Sequence, residues 1–174
     1  LQRARINSVY TNMINAYRHR VGAEDAVVLA TLDYWKWKST GGGISREPYA
    51  TYRERKERLD KEYLEVLDNL IREYGGREIC AEVYIDKAGW LRGLGASYMD
   101  EVLQVCDKGV KRYPAYKRIN ELRNIRESVL QPYLNVSTQE SVYPGDSLEL
   151  NVGYRNLKGF TLNLYRTHLS EVPW

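Results

Sequence analysis

Three acidic side chains in the middle of the chain have the spacing that an acid–base or cation site would use. Glu78, Glu82 and Asp86 recur every four residues, which places their carboxylates on one face of a helix. Carboxylates grouped in this way can bind a divalent cation or exchange protons with a substrate. No histidine lies nearby, however, and Arg77 and Lys87 stand beside them. The pattern therefore favours an ordinary solvated helix face.

The two cysteines, Cys80 and Cys106, offer no catalytic or metal-binding arrangement. They lack the C-x-x-C spacing of zinc and redox sites, and no histidine pair accompanies them. Two half-buried thiols on helices are the favoured interpretation. A disulfide between neighbouring helices is the alternative, and it would require an oxidising compartment.

Three further segments suggest binding chemistry more weakly. Residues 53–58 alternate basic and acidic side chains, which is typical of opposite-charge pairs along an exposed helix rather than of a nucleic-acid patch. Residues 93–97 resemble a phosphate loop but lack its third glycine and its lysine, so a turn between helices is expected. Tyr34, Trp35 and Trp37 could stack on a sugar or peptide, but aromatic anchors of a core are commoner. The sequence thus predicts no enzyme, no catalytic residue, no cofactor and no metal ligand.

Composition describes a folded chain with a mixed surface. The 174 residues carry 26 basic and 23 acidic side chains, a net charge of +3, which gives little long-range attraction for nucleic acid. The longest apolar run, from Ala26 to Ala30, is far too short to span a bilayer. Neither nucleic acid nor a membrane span is therefore expected.

The hydrophobic period changes once, near Pro132, and this change predicts two domains. Up to residue 131 the apolar residues recur at three- and four-residue steps, which indicates six helices joined mostly by short turns. We expect residues 1–131 to form antiparallel helical hairpins in a solenoid-like stack. The predicted helical stripes run from Ile6 to Tyr17, Val28 to Trp35, Leu59 to Tyr74, Ile79 to Leu91, Met99 to Val110 and Ile119 to Val129.

Residues 132–174 alternate apolar and polar side chains instead, which predicts about three antiparallel strands. These are residues 133–138, 148–154 and 160–164, with a hairpin connection at 155–159. A sheet so small needs a covering layer. Either the helices cover it or the rest of a β-sandwich is missing, and we favour the truncated sandwich. Its apolar face is expected to include Leu148, Leu150, Val152, Phe160, Leu162 and Leu164.

The helical part resembles a degenerate tetratricopeptide-like repeat. The resemblance lies in residues 65–74, in the helix that begins Ala81-Glu-Val-Tyr84, and in the ending Cys106-Asp-Lys-Gly-Val-Lys-Arg-Tyr-Pro114, where proline follows the second helix. This similarity supports a stack of helical hairpins.

A second resemblance concerns the domain boundary. Residues 123–136, 142–145, 154–157 and 162–166 are similar to the passage from the N-terminal helical region into the first macroglobulin-type β-sandwich of large bacterial alpha-2-macroglobulin family proteins. The resemblance implies a non-catalytic N-terminal scaffold or spacer of a protein implicated in protease trapping or inhibition. Neither cysteine belongs to the Cys-x-x-Gln thioester of that family, so any trap lies elsewhere in the parent protein.

The resemblance also implies the location and the partners. It places the chain outside the cytoplasm, in the periplasm or at the cell surface. The expected partners are the remainder of the parent chain with its further β-sandwich domains, and proteases or other proteins. Open strand edges also favour self-association through the β segment. The alternative function is an adaptor module that binds a peptide or protein on stacked helical hairpins.

Overall fold

The computed structural model describes residues 2–40, 49–138, 145, 147–163 and 165. The chain divides into two compact units, residues 1–129 and 130–174. The described residues form six α-helices, a short 3-10 helix and two strands, so the predicted mainly helical fold with a short antiparallel sheet is confirmed. The helices are α1 (Gln2–Val21), α2 (Ala23–Ser39), α3 (Tyr49–Tyr74), α4 (Cys80–Leu94), α5 (Met99–Arg112) and α6 (Asn120–Leu130), and the 3-10 helix is Ala96–Tyr98.

Glycines with positive φ make two of the turns between helices. Gly22, with φ 87°, is the single residue between α1 and α2, and these two helices pack against each other as the sequence predicts. Gly95, with φ 122°, ends α4 and starts the 3-10 helix. Both φ values lie in a region that residues with a Cβ rarely adopt. The glycine-rich segment 93–97 is therefore a turn between helices, as expected.

The centre of the helical unit is α4. It packs against α2, α3 and α5, and nine of its fifteen residues are buried. A helix that is buried on most sides needs apolar residues around much of its circumference, and α4 meets that need with small and large residues alike. Its buried residues are Cys80, Ala81, Glu82, Val83, Tyr84, Ile85, Lys87, Ala88 and Leu91.

Two tyrosines in the segment between α5 and α6 bond that segment to the rest of the helical unit. The buried hydroxyl of Tyr113 donates a hydrogen bond to the backbone carbonyl of Gly75, at 2.7 Å. The buried hydroxyl of Tyr116 donates one to the carboxylate of Glu82, at 2.6 Å. Tyrosine can fill a core with its ring and satisfy a buried polar group with its tip. This explains how a chain with 15 tyrosines and one phenylalanine builds a core.

The second unit contains a two-stranded antiparallel sheet of β1 (Tyr133–Thr138) and β2 (Leu150–Arg155). The third predicted strand does not form in residues 160–163, and Leu164 lies outside the described residues. The hairpin predicted at 155–159 is also wrong. After β2, Asn156 adopts φ 55° and its side-chain amide donates to the carbonyl of Gln131, at 3.3 Å. That bond ties the chain back toward the start of β1.

Candidate functional site

The three acids predicted to share a helix face do not do so: Glu78 lies exposed in the turn before α4, and only Glu82 and Asp86 belong to the helix. Glu82 is not part of a solvated face, so that interpretation was wrong for this residue. Its exposed fraction is 8%. Tyr116 donates to one carboxylate oxygen at 2.6 Å, and the Arg118 guanidinium donates to the other at 2.6 Å. Burial, helped by the bond to Glu82, raises the pKa of Tyr116 above its usual range. The carboxylate thus fixes the connection between α5 and α6 to the first turn of α4.

Asp86, one turn along the same helix, is also occupied by neighbours. The Tyr63 hydroxyl donates to one of its oxygens at 2.5 Å, and the Lys36 ammonium lies 2.7 Å from the other. Burial raises the pKa of Tyr63 well above its usual range, with the Asp86 charge adding to the effect. This carboxylate therefore joins α2, α3 and α4. Within the residues that the structure describes, no group of acidic, cysteine or histidine side chains has the arrangement of a metal site.

The two cysteines are free and fully buried, so the expectation of half-buried thiols underestimated their burial. Burial raises the pKa of the Cys106 thiol to about 11, and it also raises the pKa of Cys80. Because the thiolate is the reactive form, both side chains are poor nucleophiles near neutral pH. They act here as small apolar residues of the core.

The aromatic residues near the end of α2 divide between the core and its edge. Trp35 stacks on Tyr63 of α3 with ring centroids 5.6 Å apart, and Tyr63 in turn meets the edge of Trp90 of α4 at 4.8 Å. The interpretation of Trp35 as a core anchor is confirmed. Trp37 is partly buried and lies 5.8 Å from the ring of Tyr34.

The charged segment 53–58 of α3 forms the pairs that its sequence predicts. Arg53 lies 4.0 Å from Glu57, and Arg58 lies 3.8 Å from Glu62, each four residues along the helix. All four side chains are more than 40% exposed, so these pairs contribute little to stability. They describe a solvated helix surface.

The sheet of the second unit has two chemically different faces. Its register places Leu134 opposite Tyr154, Val136 opposite Val152, and Thr138 opposite Leu150. Because paired residues point to the same side of a sheet, these six lie on one face, which we call the apolar face. The other face carries Tyr133, Asn135, Ser137, Asn151, Gly153 and Arg155.

The apolar face is partly in contact with solvent, with Leu150 and Val152 half-buried and the residues around them more exposed. Leu134 is 46% exposed, Val136 41% and Tyr154 64%, and no residue of either strand is buried. Phe160 lies beside this face, with its ring 6.3 Å from that of Tyr154. An exposed, contiguous group of large apolar side chains is the usual mark of an interaction site. Among the described residues, this face is the surface with the strongest features of an interaction site.

Part of this face could have been predicted but was not. Leu148, Leu150, Val152 and Phe160 were predicted to share a face, whereas the contribution of β1 was missed. The alternation of Leu134 and Val136 with polar neighbours was the available signal. Which strands pair, and in what register, depends on the tertiary structure.

His19 is exposed, whereas His168 and Leu164 lie outside the described residues. Among the described helices, none has the length and hydrophobicity needed to cross a membrane.

Comparisons with protein-family models, with curated proteins and with solved structures found no match.

Proposed function

We propose that this chain is a non-catalytic helical scaffold leading into a β-sandwich of a large alpha-2-macroglobulin-like protein, one implicated in protease trapping or inhibition outside the cytoplasm. The observation that carries the proposal is the change after α6. There, a densely packed helical unit gives way to an antiparallel sheet with one apolar and one polar face. Such a sheet is suited to be one layer of a sandwich. The similarity of residues 123–136 and 154–157 to the family junction supports the choice of family.

The non-catalytic part of the proposal rests on how the reactive side chains are used. Glu82 and Asp86 are each bound by two neighbouring side chains. Lys87, only 8% exposed, donates to Asp68 at 2.8 Å. These groups connect helices, and both oxygens of Glu82 and of Asp86 already contact a side chain of another element. General acid–base catalysis needs such a group within reach of a substrate.

The scaffold role rests on the contacts that join the helices at several points. Arg77, in the turn before α4, pairs with both Glu24 and Asp25 at the start of α2. Tyr113 and Tyr116 fix the connection between α5 and α6. These hydrogen bonds and ion pairs join elements that are distant in sequence, in addition to the contacts of a continuous apolar core. A unit built in this way holds its ends in a fixed relation, as a spacer requires.

A second candidate function is an adaptor module that binds a peptide or protein. The packing of α1 on α2, and of α4 on both α3 and α5, favours it, because stacked helices that are neighbours in sequence commonly present binding surfaces.

The reading frame that encodes the chain separates these two functions. The macroglobulin proposal expects the frame to continue past Trp174 into several further β-sandwich segments and to contain a Cys-x-x-Gln sequence elsewhere. A stop codon directly after Trp174 would contradict that proposal and favour the adaptor.

The protein encoded by the extended frame provides the functional test. A protease enclosed by a trap keeps its activity on a small peptide substrate but loses activity on a large protein substrate. The proposal expects this difference when the whole protein is mixed with trypsin, and expects none when a variant lacking the thioester region is used. Equal effects on both substrates would contradict trapping.

A further inference from the structure

The apolar face of the sheet is large enough to form an interface. Taking about 200 Å² for a large side chain, the exposed parts of the face, together with Phe160, correspond to on the order of 500 Å². The largest apolar patch on an ordinary monomer has about this size and is often functional. Two such faces packed together would bury on the order of 1,000 Å², the lower limit for a specific interface.

The chemistry of the face suits a second copy of itself. Leu134, Val136, Leu150, Val152 and Tyr154 carry no charge, so two copies of the face meet without like-charge repulsion. The described residues contain one sheet and no second sheet that could pack on it. A sheet with a single apolar face is suited to be one layer of a two-layer structure. A second copy of the chain can supply the other layer, because every copy carries the same sheet.

The opposite face limits the assembly to two chains. It carries Asn135, Ser137, Asn151 and Arg155, which remain hydrated at low cost when they face water, and a single large ring, Tyr133. The apolar face of each sheet therefore gains much more from packing than the opposite face. An interface in which the same patch serves both chains closes after one pairing and does not grow into a fibre.

We infer that the 174-residue chain forms a symmetric dimer in which the apolar faces of two sheets pack against each other as the two layers of a sandwich. This inference rests on the proposed function in one respect, that the sheet is one layer of a sandwich. Because the interface lies at the lower size limit, the dimer is weak and depends on concentration.

Sedimentation of the 174-residue chain over the micromolar range tests this inference. We expect the mass to rise from 20.3 kDa toward twice that value as the concentration rises. Val152→Asp places a charge in the centre of the interface and should weaken association by roughly 100-fold or more. Asn151→Asp adds the same charge on the neighbouring residue of the opposite face, and should leave the dimer intact.

Strand β1 offers a second pair of substitutions, one on each face of the sheet, so the test does not depend on one variant. Val136 lies directly opposite Val152, and Ser137 lies directly opposite Asn151. Val136→Asp should therefore dissociate the dimer, and Ser137→Asp should not. Far-ultraviolet circular dichroism would confirm that every variant keeps its helical unit.

Three outcomes would overturn the inference. The first is a strict monomer at all concentrations, and the second is a dimer that Val152→Asp and Val136→Asp leave unchanged. The third is a dimer that the variants of the opposite face disrupt equally, because that result would indicate pairing of strand edges. None of them bears on whether the reading frame continues into further sandwiches. The proposed function and the dimer can thus fail independently.

Discussion

The helical unit and the sheet use similar apolar residues with opposite results. Leu91 of α4 has no exposed surface, whereas Leu134 of β1 is 46% exposed. A helical hairpin brings partners together from neighbouring positions in the sequence, so α4 finds α3 and α5 on either side of it. A sheet can bury its apolar face only against another layer, which two short strands cannot provide. The difference shows that burial depends on the available partners as much as on the side chain.

Identical substitutions in the two units should separate them most clearly. Leu91→Ala removes a fully buried side chain and should lower the free energy of unfolding by about 3–4 kcal/mol. Leu134→Ala removes one that is about half exposed, and should lower it by only about 1 kcal/mol. Urea unfolding of the monomeric chain, followed by circular dichroism, measures both. Similar losses for the two variants would contradict the contrast.

Two glycines within the helical unit sharpen the comparison, because one lies at a close helix contact. A Cβ added to Gly109 of α5 would lie 2.5 Å from the Leu122 side chain and 3.0 Å from the Cβ of Tyr84. Gly109→Ala should therefore cost about 2 kcal/mol through overpacking.

The control for this substitution is Gly89 of α4, where an added Cβ would meet nothing within 4 Å. Gly89→Ala should stabilise the helix by up to about 1 kcal/mol, since alanine favours helix more than glycine does. Thermal or urea unfolding of both variants provides the measurement. If both substitutions stabilised the chain, that result would contradict the close contact of Gly109 with Tyr84 of α4 and Leu122 of α6.

The response of the helical core to alkaline pH should be smaller than the effects of Leu91→Ala and Gly109→Ala. The pKa of Cys106 is about 11 in the folded chain and 9.0 as its ordinary value. Above pH 9 the unfolded chain loses this proton while the folded chain keeps it, so stability falls as the pH rises toward 11. Between about pH 8 and 10 the loss from this thiol should be about 1 kcal/mol.

Cys106→Ala serves as the control for the alkaline response. It lacks the thiol, so its stability should fall less steeply with pH than that of the unchanged chain, although it begins lower because of lost packing. Urea unfolding at a series of pH values gives both slopes. Equal slopes would show that the thiol does not contribute to alkaline sensitivity.

Much of the fold could be predicted because its signals are local. The change of period near Pro132 separated helices from strands, and the apolar stripes identified six helices. Gly22 and Gly95 marked turns because few other residues adopt their φ values. Residues 133–138 and most of β2 could be assigned by alternation alone.

The predictions that failed concerned partners far away in the sequence. Spacing alone placed Glu82 on a solvated face, but Tyr116 and Arg118, more than thirty residues further along, bury and bind it. The third strand was predicted from alternation, but residues 160–163 pair with no other strand, and Asn156 after β2 bonds to Gln131 instead of continuing a hairpin.

The amino-acid sequence by itself determined where helices and strands form, because hydrophobic period and turn residues act over a few positions. Only the tertiary structure decided which polar groups are buried and which residues share the apolar face. Val136 and Val152 are sixteen positions apart, and only strand pairing places them opposite each other. Such contacts depend on the register between elements, which a local pattern does not fix.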